Sequence, residues 1–194
     1  MGDAEKESAV AIFCRQVGAR SLELQEAMHL VAGRGLTSVE VGLLRQELDS
    51  MVRVMFLLAQ GNRERRTELI EASINGQRWR LPTSSGKSAL VTDRELVELA
   101  DTFTGWAGNV YRFGCAYIHL SDLHDHEARD PFRALPIGDR EEIARHLNQY
   151  HGARLSAEST FVEVVYWVPN VMDKISTNLA SYVKQLADEG DLRL

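Results

Sequence analysis

The chain has 194 residues, 44% hydrophobic and 26% charged, a length and composition that predict one soluble globular domain spanning residues 1–194. No apolar run approaches the roughly 18 residues that cross a bilayer, and the opening MGDAEKESAV has neither a basic nor a hydrophobic leader segment, so no membrane association is expected and the location is expected to be cytoplasmic. A formal net charge of −6 argues against indiscriminate binding of nucleic acid over the whole surface.

Taken in chain order, helix signals recur and strand signals are nearly absent. The patterning predicts an all-α bundle with four long helices near 4–32, 37–60, 92–127 and 157–188 and two short ones near 63–74 and 139–150. Lys6 stands where a myristoylation signal needs Ser or Thr, so Gly2 is not expected to carry a lipid. Cys14 and Cys115 lie far apart with no CxxC pattern, which suits a reducing compartment and supplies neither a disulfide nor a zinc framework. Gly33 and Gly35 separate the first two helices.

The second helix is expected to open on a capping box, Thr37 to Glu40, followed by the apolar stripe Leu44, Leu48, Met51, Met55 and Leu58. The third ends at Asn75 and Gly76. From Arg63 to Arg94 a basic patch of Arg63, Arg65, Arg66, Arg78, Arg80, Lys87 and Arg94 faces Glu64, Glu68, Glu71 and Asp93, a local balance of +3 that marks Arg63, Arg65, Arg66, Arg78 and Arg80 as candidate nucleic-acid contacts. RWRLPTSSGKSALV reads as a loop. Its GKS is not a phosphate-binding P-loop, because Leu81 stands where the motif needs glycine and no strand precedes it.

A second capping box, Thr92 to Glu95, opens the fourth helix, with a 4-3-4-3 stripe through Leu96, Ala100, Phe103, Ala107, Val110, Gly114, Tyr117 and Ser121 and a stop at Asp130–Pro131. The last helix carries Val165, Val168, Met172, Ile175, Leu179, Tyr182 and Leu186 in one register, so Pro169 is expected to kink it without ending it. At about 100° per residue, Arg112, Cys115, His119, Asp122 and His126 share one sector of about 80° on the fourth helix, nearly opposite its apolar stripe.

Three readings fit that sector. It is a solvated face with i, i+3 and i, i+4 contacts; or a metal site of His119, Asp122 and His126; or a phosphate-chemistry site of Arg112 and His119. In the last, histidine moves protons near neutral pH and the permanently charged, forked guanidinium holds charge developing on phosphorus, with no metal ion or other cofactor.

RFGCAYIH, Arg112 to His119, resembles the R-x(4 to 6)-H motif of the HEPN superfamily, with six intervening residues, and LLRQELDSMVRVMFLL resembles its LRxxxE helix, with Arg45 and Asp49 at the matching positions. The resemblance implies a helical bundle and a metal-independent RNase of the toxin–antitoxin and phage-defence kind. It further implies a homodimer in which two Arg–His pairs line one cleft, an RNA substrate, and an antitoxin or defence-system partner. Arg112 and His119 would then be catalytic, with Arg45, Asp49, Asp122 and His126 supporting. Phe113 departs from the polar residue that many members place after the arginine. Two other pairs match the spacing, Arg140 with His146 and Arg145 with His151; in the second, His146 follows the arginine and conforms, but a continuous helix sets its partners about 120° apart. The rival reading is a non-enzymatic interaction, immunity or regulatory module.

Overall fold

A computed structural model describes residues 7–83, 86–118, 124, 128–188, 190 and 192, with the side chains of 116–118 left aside. The helices are α1 (Ala9–Val31), α2 (Thr37–Leu58), α3 (Arg63–Ile74), α4 (Asp93–Thr104), α5 (Ala107–Ile118), α6 (Ile137–His151), α7 (Phe161–Val165) and α8 (Val168–Ala187). Between α3 and α4 lies an antiparallel hairpin of β1 (Arg80–Pro82) and β2 (Ser88–Leu90), with Leu81 opposite Ala89. The fold is all-α apart from this hairpin, and among the described residues no helix is long and apolar enough to cross a membrane.

The bundle is built around α2. Fourteen of its 22 residues are buried, so it is sheathed on nearly every side, as a helix apolar on most of its circumference must be. Its closest neighbour is α8, followed by α5, α1 and α4. The α2 stripe and the C-terminal stripe from Val165 to Leu186 are buried throughout. Phe132, from the turns before α6, is fully enclosed, and Asp130 ties this segment to α7 by accepting from the Phe132 and Phe161 amides at 2.9 and 2.8 Å.

Four expectations need correction. The predicted fourth helix is two: α4 ends at Gly105, which adopts φ 69° and donates to Asp101, and α5 restarts two residues later. The stripe stays in register across the break, which is why periodicity did not reveal it, but Phe103, next to the turn, is 40% exposed. Its course beyond Ile118, with Tyr117 and Ser121, falls outside the described side chains. The predicted C-terminal helix is also two. Pro169 lies in the first turn of α8, where its missing N–H is no loss, instead of kinking a continuous helix. Thr37 does not cap α2, because Leu36 occupies the N-cap without a side-chain bond, whereas Thr92–Glu95 forms the full capping box and Thr160–Glu163 forms another at α7. Finally, the expected loop contains the hairpin, pinned by Trp79, which is buried, stacks on Phe56 at 5.6 Å and donates its indole N–H to Ser73 at 2.7 Å.

Candidate functional site

Trp106, which has no side-chain oxygen to cap with, precedes helix α5, and the preceding turn satisfies orphan donors of its first turn. Thr104 Oγ1 accepts from the Ala107 amide at 3.3 Å and Asp101 from the Gly108 amide at 3.0 Å. Its inner face meets α2 at Gly114. A Cβ on that glycine would lie 3.0 to 3.3 Å from the Arg45 side chain, so only glycine lets α5 settle over this arginine.

Arg45 is 7% exposed, and its guanidinium lies 4.3 Å from the centre of the Tyr111 ring, a cation–π contact. Its Nη2 is 3.9 Å from Asp93 at the start of α4, and its Nε is buried without a partner among the described residues. Burial, and then a hydrogen bond with Cys115, hold the Tyr111 phenol above its ordinary value, with Arg45 pulling the other way.

Asp93 also accepts from Arg53 at 3.0 Å, and Arg53 Nε bonds both oxygens of Asp49 at 3.1 and 3.0 Å. Arg20 of α1 approaches Asp49 at 3.7 Å. Arg45, Asp49 and Arg53 thus occupy successive turns of α2 and bind α1, α4 and α5 to it. The sequence reading identified the first two of these residues; Arg53 repeats their four-residue spacing and could have been found by it. Arg20, Asp93 and Trp79 come from other elements and carry no such signal.

Arg112 points away from the core. Its side chain is 59% exposed and pairs with Glu142 of α6 at 2.9 Å while also donating to Asn109. Cys115, on the same face, is half-buried. His119, Asp122 and His126 lie outside the described residues, and so does the expected metal alternative built from them. Among the described residues no group of three or more metal-ligating side chains converges.

The other two Arg–His spacings are separated by the fold. Arg140 bonds the Ala157 carbonyl at 2.6 Å in the loop before α7, whereas His146 sits among Trp106, Tyr150 and His151 with ring centres 6.0, 4.9 and 5.8 Å away. Arg145 lines an open cleft with Asn148 and Ala157, while His151 lines a small cavity with Trp106 and Lys174. The helix runs unbroken to His151, so the partners stay on different faces. Burial, then the neighbouring His151 charge, push His146 down to about 4; burial and then Lys174 lower His151.

The basic patch does not form one surface. Arg66 is buried and donates to the carbonyls of Leu58, Gln60 and Gly190, closing the turn between α2 and α3 against the C-terminal segment. Arg65 pairs with Glu68 at 2.7 Å, Arg80 clips β1 to Ser88, and Arg63 opens α3. Arg78 lines a large cleft together with Arg20 and Arg53.

Comparison of the chain with protein-family models, with curated proteins and with solved structures found no match.

Proposed function

We propose that the chain is a HEPN-like, metal-independent endoribonuclease that works as a homodimer on RNA, in a defence or toxin setting that would supply an antitoxin or regulatory partner. The observation that carries the reading is a meeting of two segments. The α2 stretch with Arg45 and Asp49 and the α5 stretch opening at Arg112 resemble the family's two motifs separately, and they pack directly together where Gly114 and Tyr111 cover Arg45. This contact leaves Arg112 on the outer face of α5.

In the proposed reaction neutral His119 takes the proton of a ribose 2′-hydroxyl. The resulting oxygen attacks the adjacent phosphorus, a 2′,3′-cyclic phosphate forms, and the 5′-oxygen leaves as a hydroxyl after protonation by the same residue of the second protomer. Arg112 holds the charge that develops on the phosphoryl oxygens, exchanging its surface carboxylate Glu142 for phosphate. Arg45 and Asp49 are positioning residues that fix α5 on α2. The test is RNA incubated in EDTA with wild-type, Arg112→Ala and His119→Ala protein. Wild-type cleavage leaving 2′,3′-cyclic ends, reduced at least about 100-fold in both variants at unchanged helical content, is expected. Cleavage retained in both variants rejects the assignment.

A second reading, a non-enzymatic interaction module, is favoured by Val162 and Tyr166 at α7, which are 78% and 73% exposed on the outside of the bundle. It predicts stable association with a partner that Val162→Asp abolishes and His119→Ala leaves unchanged.

A further inference from the structure

A large cavity of the described residues is bounded in part by Arg53 and Asp93 of the Arg45 cluster. It is a cleft of about 700 Å³ between α1, α2 and the chain that enters and leaves the hairpin. That volume falls within the range of small-molecule sites, and the lining is mixed in the way such sites are. Phe13, Val17, Leu90 and Val91 supply apolar wall, while Gln16 and Gln77 have side-chain amides with no partner among the described residues.

Its charge runs against that of the protein. Three arginines, Arg20, Arg53 and Arg78, line the cleft against a single carboxylate, Asp93, in a chain whose net charge is −6. Asp49, behind the wall, engages Arg20 and Arg53 but does not exhaust them. Arg53 uses Nε on Asp49 and Nη2 on Asp93, so Nη1 stays open, and Arg20 reaches Asp49 only at 3.7 Å. Arg78 is exposed and has no partner among the described residues. The Arg53 guanidinium is itself held 5.5 Å from the centre of the buried Trp79 ring, so the cation is placed before any ligand arrives.

Guanidinium groups offer two things to one ligand: forked donors that match a phosphate, and flat faces on which a planar ring stacks. We propose that this cleft binds a nucleotide-class ligand, with Arg20, Arg53 and Arg78 around the phosphate and the ring system against the apolar wall, hydrogen-bonded by Gln16 or Gln77. The site is distinct from the Arg112 face and does not rest on the ribonuclease reading. Asp93 connects the two regions, since it pairs with Arg53 in the cleft and with Arg45 beneath α5.

The test is a calorimetric titration of the full chain with a panel of purine and pyrimidine nucleoside mono- and triphosphates, beside inorganic phosphate and the free nucleosides. At least one nucleotide is expected to bind with Kd below about 1 mM, with phosphate alone and the nucleoside alone each at least about tenfold weaker. Arg78→Ala and Arg20→Ala alter exposed side chains, leave the fold intact and should each weaken that binding about tenfold. Failure of every member of the panel at about 1 mM overturns the proposal, as does binding unchanged in both variants. Inorganic phosphate binding as tightly as the best nucleotide overturns the nucleotide assignment. None of these outcomes depends on RNA cleavage.

Discussion

Two buried charges, Arg45 and Glu47, lie two residues apart on α2 and are handled in opposite ways. Glu47 is 0% exposed and faces α1 and α8, where its Oε1 accepts from the hydroxyls of Ser21 and Ser176, the latter at 2.7 Å. No cation stands near enough to pair with it among the described residues, and its second oxygen has no partner there. Arg45 faces the other way, against an aromatic ring and an aspartate that is itself half-exposed and shared with Arg53. The carboxylate is closed inside the bundle and can only hold three helices in one arrangement. The guanidinium sits at the inner end of a charged cluster that reaches a cleft, so changes at the surface can reach it. Buried charge alone therefore does not mark a functional region; connection to an accessible one does.

The strongest way to break this contrast is Glu47→Ala, which leaves the Ser21 and Ser176 hydroxyls without the acceptor they donate to and a cavity beside them. It should destabilise the protein by about 3 kcal/mol in urea denaturation. Replacing Glu47 by Met together with Ser21→Ala and Ser176→Ala should recover most of that loss, since no buried polar group is then left unsatisfied. A triple variant as unstable as Glu47→Ala would mean that the charge itself, and not the desolvated partners, matters.

A smaller effect sharpens the Arg45 side. Gly114→Ala should destabilise by about 1–2 kcal/mol, because the new methyl meets the Arg45 Cβ at 3.1 Å, close to a backbone that cannot give way. In an Arg45→Ala background the same change should cost less, because the contacts with Arg45 Cδ and Cγ at 3.0 and 3.3 Å are gone while the Cβ contact remains. Additive effects in that double-mutant cycle would show that the two side chains do not meet.

The smallest effect concerns acid. The folded-state value of His146 lies below the ordinary 6.5, at about 4, so the unfolded chain binds the proton first. The contribution of this ring is complete above pH 6.5 and is lost as pH falls towards about 4. Tm measured across this window should drop by a few degrees in the wild type and by less in His146→Phe. An unchanged slope would place the acid sensitivity in other groups. With this background removed, acid effects on the Glu47 and Arg45 variants can be compared directly.

How much of this was legible in the sequence differs by feature. The helix starts at Thr92 and the stops at Gly33 and Asn75 are local events, settled by hydroxyl, amide and glycine chemistry within four residues. The stripes on α2 and α8 identified core residues that the fold buries without exception. The outward position of Arg112 followed from the same periodicity. The break at Gly105 was hidden because its two flanking helices keep one register, and the cap at Thr37 was misread because a neighbouring Leu36 took the position.

By itself, then, the sequence determined the mainly helical character, several helix ends and the α2 and C-terminal stripes of the core, since spacing of 3.6 residues and capping are properties of the chain alone. Tertiary structure decided the rest. Arg66, read as a surface contact, turned inward to donate to the Leu58 and Gln60 carbonyls at a turn and to the Gly190 carbonyl of the C-terminal segment. Two strands of three residues held only once Trp79 had a core to enter. The cleft of Arg20, Arg53 and Arg78 draws one arginine from each of three segments, and no spacing along the chain encodes a juxtaposition that packing alone creates.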